Sequence, residues 1–201
     1  MKTTRLIICF GISLFWISDV AAQTKDSLSK PYTQFCSRNE LGVLFGVGTV
    51  RTPYDDFVSN NENILELSSS NGIRYGRLFA GVGVGIRKWD KHFLLPLFFT
   101  LSANLWEGKN SLFLQVDLGH QFGTRAANRF GDKETGSFFV AYGLGYDWSV
   151  TENLKLYLKA SVCHQSMKAS GTYTGLGPST SVETYNPKYL FFRLSVGVRI
   201  H

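Results

Sequence analysis

Ser137–Val150, SFFVAYGLGYDWSV, is the stretch whose reading decides the fold. Phe138, Val140, Tyr142, Leu144, Tyr146, Trp148 and Val150 fall on one side of a period-two alternation. Ser137, Phe139, Ala141, Gly143, Gly145, Asp147 and Ser149 fall on the other. Successive strand side chains point to opposite faces, so the stretch reads as a β-strand with one apolar face and one small or polar face. It is also long. Soluble strands commonly run ~5–6 residues, whereas a tilted strand needs ~9–11 to cross a bilayer.

Working outward, the last segment repeats the pattern. Leu190, Phe192, Leu194, Val196, Val198 and Ile200 alternate with Phe191, Arg193, Ser195, Gly197 and Arg199. Residues 40–51, 62–70, 73–88, 92–105, 111–122 and 154–167 alternate less cleanly. No run has the period of a helix. The expected fold is all-β, a closed antiparallel up-and-down transmembrane β-barrel of about eight strands, the even number that a barrel with both termini on one side requires.

The connections sort by length. Asn71-Gly72, Trp106–Asn110 and Thr151–Asn153 are short and are assigned to the periplasmic side. Thr52–Asn61, Gly123–Gly136 and Lys168–Pro187 are longer and are assigned outside, with Trp89–Lys91 a brief exception. Asn-Gly favours a type I′ hairpin turn. A two-residue turn at 71–72 predicts Glu66 opposite Arg77 on the polar face and Leu65 opposite Leu78 on the apolar face.

Composition agrees with a membrane barrel. Charged residues make up 18% of the 201 residues, below the ~25% of soluble domains. There are 16 Phe, 9 Tyr, 4 Trp and 20 Gly, and much of that glycine lies on the polar face: Gly42, Gly46, Gly48, Gly81, Gly83, Gly85, Gly119, Gly143, Gly145 and Gly197. A solvated exterior would carry Lys, Glu and Thr, because strand glycine is costly without a packing reason. A crowded narrow lumen supplies that reason. The polar face therefore points inward and the aliphatic face meets lipid, the reverse of a soluble barrel.

The N-terminus reads as a signal peptide over 1–22. Lys2 and Arg5 precede the apolar run Leu6–Ile17, and Val20-Ala21-Ala22 offers a cleavage site before Gln23. Removal takes the net charge from +6 to about +5, since two cations and Asp19 leave together. Residues 23–39 read as a periplasmic lead-in and 40–201 as the barrel. Cys36, placed ahead of the first strand, and Cys163 read as unpaired thiols.

With that layout, the hairpin FVAYGLGYDWSVTENLKLYLKASV, the strand GVGVGIRKW with HFLLPLFF, and the terminal FFRLSVGVRIH resemble the small outer-membrane β-barrel families of Gram-negative bacteria. The likeness covers about residues 40–201 and is one of pattern. It implies residence in the outer membrane, contact with its lipids and lipopolysaccharide, insertion by the barrel assembly machinery, and a monomer. Such barrels usually end in an aromatic residue, where this chain has Ile200 and His201.

The polar face carries Arg77, Arg87, Lys155, Lys159, Arg193 and Arg199 against Glu40, Glu66, Asp117 and Asp147. Interior charges need partners, so these are expected to form a lumen charge network, either a plug or the wall of a thin polar path. Gly81-x-Gly83-x-Gly85 lacks the spacing and following helix of a nucleotide motif. His92, His120 and His164 are scattered, and neither metal nor cofactor nor nucleic acid is expected. One enzymatic alternative stands beside this. His164-x-Ser166 with Glu183 resembles the His-x-Ser of barrel-type lipid A deacylases, with Ser as nucleophile, His as base and Glu as orienting acid. The asparagine that follows the serine in that family is Met167 here. The leading expectation is non-enzymatic: envelope integrity, surface interaction or limited passage of small solutes.

Overall fold

The computed structural model describes residues 33–51, 57–105, 110–126, 133–174 and 180–201. The region read as a signal peptide lies outside them. The described residues form twelve strands: β1 (Thr33–Val47), β2 (Thr49–Arg51), β3 (Phe57–Ser59), β4 (Asn63–Tyr75), β5 (Leu78–Trp89), β6 (His92–Asn104), β7 (Ser111–Phe122), β8 (Thr124–Ala126), β9 (Lys133–Ser149), β10 (Leu154–Thr174), β11 (Thr180–Tyr185) and β12 (Lys188–Ile200). Eight of them, β1, β4, β5, β6, β7, β9, β10 and β12, pair antiparallel in a ring that closes when β12 pairs with both β10 and β1. Closure leaves no barrel strand with an unpaired edge, which a bilayer demands because it offers no water to bond backbone groups. β2 and β3 form a small hairpin, while β8 and β11 extend the longer connections above the barrel.

The two faces divide as the alternation requires. Outward Leu67, Val82, Phe93 and Leu97 are 54–61% exposed, whereas inward Arg87, Asp147 and Gln121 are fully enclosed. A mostly apolar outer surface with buried charges inside is the arrangement of a protein whose solvent is lipid. Tyr146 and Trp148 meet edge to ring near the short-turn end of β9, with centroids 4.9 Å apart.

Three expectations are corrected. First, β1 begins at Thr33 instead of Glu40, so Cys36 lies within it and faces inward. Both Cys36 and Cys163 are free and buried. Second, Asn71-Gly72 is not a turn. Asn71 pairs with Ser37 and Val82 in mid-sheet, and the chain reverses at Gly76-Arg77 between Tyr75 and Leu78. Gly76 takes φ 56° at the first central position, as a type II′ turn requires. Glu66 therefore faces Arg87 instead of Arg77, which lies exposed in the turn. The face-matching argument could not separate these registers, because 77 and 87 differ by an even number and an even slip leaves every side chain on its own face. The long β1 decides it: residues 33–37 gain partners only if β4 runs on to Tyr75.

Third, the alternation of β9 breaks near its upper end. Gln165 pairs with Phe139 but Met167 pairs with Gly136, so two β9 residues oppose Ser166 alone. This β-bulge reverses the facing of the residues before it. Glu134 is thereby turned inward and buried.

Candidate functional site

The lumen is filled in three tiers. At mid-height six charged side chains from six strands balance, three of each sign. Arg193 contacts Glu40 and reaches Glu66 at 2.8 Å and Asp117 at 3.7 Å. Lys159 Nζ lies 2.8 Å from Glu40 Oε2 and 3.8 Å from Asp117 Oδ2. Arg87 Nε donates to Glu66, and its Nη1 donates to Gln121 at 3.0 Å and Gln165 at 3.1 Å. Tyr157 donates its hydroxyl to Glu40 at 3.1 Å, and Gln115 donates to Asp117 at 2.8 Å. Each of these six buried charges thus has an opposite charge within 4 Å, the first condition under which interior ions are tolerated.

Above this tier, toward the long loops, lies an apolar stopper. Trp89 packs edge-on against Tyr189 and Phe191, with centroids 5.1 and 5.4 Å apart, beside buried Leu44, Ile64, Leu94, Phe139, Cys163 and Met167. The polar ends of its rings are satisfied: Tyr189 donates to Glu134 at 2.9 Å and Trp89 Nε1 to Glu62 at 2.9 Å.

Toward the short turns, Arg38 lies over the Phe79 ring at 4.0 Å and donates to Gln115 at 3.0 Å and Ser102 at 2.6 Å. Arg199 donates to Asp147, and Lys155 is buried beside it in the register. Inward rings seat on glycines. A Cβ at Gly145 would lie 2.3 Å from Phe113 Cζ, and one at Gly197 2.4 Å from Tyr157 Cζ. Glycine on this face is therefore the space the lumen aromatics occupy. Just past β12, His201 accepts from Arg74 at 3.4 Å. Burial, then the Arg74 and Arg199 cations, holds its imidazole down to about 3.

Of the residues read as lumen charges, Glu40, Glu66, Arg87, Asp117, Asp147, Lys155, Lys159, Arg193 and Arg199 are buried inside, and Arg77 is not. The sequence reading missed Arg38, because its segment was read as a lead-in, and Glu134, because a bulge has no signature in alternation. Phe79, Phe98, Phe113, Tyr157 and Trp89 are also buried in the lumen.

On the outer face, His164 and Ser166 share the outward side of β10 near the long-loop end. His164 Nε2 lies 3.1 Å from the Tyr142 hydroxyl and the two rings stack. No hydrogen bond joins His164 to Ser166. The backbone of Glu183 pairs with Gly171 in the β10–β11 ladder, so the connection is a hairpin extension and not a loop free to fold back. The Glu183 side chain lies outside the described residues. Among the described residues no cluster of three or more His, Cys, Asp or Glu could hold a metal.

No family model matches the chain, and no curated protein matches it. Solved structures do. Neisserial surface protein A is similar at TM-score 0.56 and 14% identity, over 84% of this chain and 98% of that one. Outer membrane protein AlkL, determined in DMPC bilayers, is similar at TM-score 0.52 and 11% identity, over 89% and 94%. OprG from Pseudomonas aeruginosa is similar at TM-score 0.50 and 14% identity, over 86% and 97%. Likeness at such low identity concerns the fold alone. The chain has the fold of the small eight-stranded outer-membrane β-barrels.

Proposed function

We propose that the protein is a non-enzymatic resident of the bacterial outer membrane, contributing to envelope integrity or surface interaction with its long-loop end outside. The observation that carries this reading is the filled lumen. A balanced network of six charges and an aromatic stopper around Trp89 stand in series along the axis, and their largest side chains are fully buried. Eight strands leave an interior that side chains can fill, and here they do. Passage of solutes would require breaking several buried ion pairs at once, each costly to open singly.

Purified full-length protein in planar bilayers tests this. The expected result is no stepwise conductance at moderate voltage; steady ohmic channels would replace the reading with a pore. Lipid A mass spectra from cells overexpressing the protein, or its Ser166→Ala variant, test the hydrolase alternative. Identical spectra are expected, because His164 is engaged by Tyr142 and not by Ser166. A deacylated species present only with Ser166 would reverse the assignment.

A further inference from the structure

The outer wall of the barrel changes character along β10. Toward the long-loop end its outward side chains run Ala160, Val162, His164, Ser166, Lys168 and Ser170. At mid-height, level with Lys159, an open groove of about 400 Å³ crosses this wall. Val116, Tyr142, Leu144, Val162 and Phe192 line it around Ala160, and its surface is almost wholly apolar. Ala160 makes the dip, because its direct cross-strand neighbours are the larger Leu144 and Leu194.

Higher on the same wall, where β9 and β11 flank β10, lies a second recess of about 450 Å³. Thr135, Lys168, Ser170, Thr184, Tyr185 and Asn186 line it, so hydroxyls, an amide and a cation replace the aliphatic groups below. The Thr135 hydroxyl donates to the Lys168 carbonyl at 3.2 Å, which ties β9 to β10 at the recess. A second ammonium stands close by. Lys188 on β12 is the direct partner of Ser166 and so the diagonal neighbour of Lys168. Such neighbours lie about 7–8 Å apart. Both lysines are exposed, and among the described residues neither is ion-paired. Between groove and recess, Tyr142, which lines the groove, meets His164 at 3.1 Å.

The heights match a bilayer leaflet. Trp148, of the short-turn aromatic pair, is the direct partner of Leu156. Ser166, ten residues further along β10, stands about 26 Å higher at the usual strand rise and barrel tilt, close to the ~25 Å apolar band of such barrels. Ser166 and Lys188 thus mark the outer edge of the hydrocarbon, and the Lys168 recess lies in the headgroup layer. Val162, in the groove, is about 15 Å below Lys168, half of a hydrocarbon core of about 30 Å.

We propose that this wall, from β9 to β12, is a binding site for a phosphorylated glycolipid of the outer leaflet. The sugar sits in the recess against the hydroxyls and Asn186, its phosphate lies between Lys168 and Lys188, and one acyl chain follows the groove over Ala160. The recess falls within the ~300–1,000 Å³ of small-molecule sites, and lysine serves phosphate as a point charge. A lipid without a sugar leaves the recess unfilled, and one without a phosphate leaves the two cations unmatched. The site rests on the outer-membrane placement proposed above, with the long-loop end outside.

The test uses the full chain folded in non-ionic detergent micelles, with purified lipid A as the probe and native mass spectrometry as the readout. One lipid A retained per barrel is expected, even against an excess of phosphatidylglycerol. Lys168→Gln combined with Lys188→Gln should weaken retention about tenfold or more, since each cation at a lipid surface contributes about fivefold. Lipid A stripped of its phosphates should bind wild type as weakly. Ala160→Phe fills the groove from the lipid side and should weaken retention about threefold or more through lost chain contacts. Lys88→Gln, exposed on β5 near the same end of the barrel, should change nothing. Folding of each variant is read from its unboiled gel mobility; if Ala160→Phe does not fold, the lysine pair and the phosphate-free probe decide. Loss of the gel shift by the wild type would remove the membrane placement itself. A wild type that shifts normally yet retains no lipid A, retains phosphatidylglycerol equally well, or binds no better than the double lysine variant overturns this site alone.

Discussion

Glu66 sits between two cations. It accepts from Arg87 and lies 2.8 Å from Arg193, with about 1% exposure. Glu66→Gln strands positive charge in a dry site and should cost about 3–5 kcal/mol. The double change Glu66→Gln with Arg87→Gln should cost less than the sum of the two single ones, while Arg77→Gln should shift stability by less than about 0.5 kcal/mol. Urea unfolding of micelle-folded protein reads all four; a cost at Arg77 equal to that at Arg87 would restore the discarded register. At Gly145 the added methyl of Ala would meet Phe113 at 2.3 Å, so Gly145→Ala should cost about 1–3 kcal/mol and be partly rescued by Phe113→Leu. His201 works through protons. Its imidazole stays neutral in the fold down to about 3, while the unfolded chain takes up a proton near 6.5. The unfolded state then binds more protons in that window, so stability falls as pH drops from roughly 6.5 toward 3. His201→Gln should flatten that part of the pH–stability curve, and an unaltered slope would show that the imidazole is not held neutral.

Turns and bulges set the elements. Gly76 takes a positive φ of 56° where the chain reverses, so Gly76→Ala should destabilise the barrel by about 1 kcal/mol. Asn71→Ser, in mid-strand, should leave stability within about 0.5 kcal/mol. A larger loss at Asn71 than at Gly76 would return the turn to Asn71-Gly72. The β9 bulge carries a separate expectation. Glu134, which the bulge turns inward, is the acceptor of the buried Tyr189 hydroxyl, and Glu134→Ala takes that acceptor away. The loss should be about 1–3 kcal/mol or more, seen as a lower temperature at which the unboiled band converts to the boiled one.

The whole molecule is one sheet closed on itself, so its stability is not divided among layers. Every barrel strand bonds two neighbours, the outer surface is lipid-facing, and the interior ions cross-link strands distant in sequence, Glu40 to Arg193 for example. Closure and internal cross-links together imply strong resistance to detergent. Unboiled protein should migrate apart from boiled protein in dodecyl sulfate gels and show β-type circular dichroism. Recovery as a soluble periplasmic species with no such shift would overturn the transmembrane reading.

Alternation over Ser137–Val150 and Leu190–Ile200 was enough to establish strands, their two faces and, through the glycine on the polar face, which side is the lumen. These are local properties: side-chain direction follows from residue parity, and glycine marks where rings must fit. Register was not local. The Asn71-Gly72 preference is worth little against the ladder that β1 forms down to Thr33, and parity is blind to an even slip, so Glu66 found Arg87 only in the closed sheet. The same holds for Glu134, turned inward by a bulge, and for Arg38, recruited by a strand that starts earlier than its composition suggests. Which charges share a height, so that Arg87, Lys159 and Arg193 meet Glu40, Glu66 and Asp117, depends on the stagger of eight strands around a ring. That stagger is decided by the closure of the barrel, because each strand must satisfy two neighbours at once.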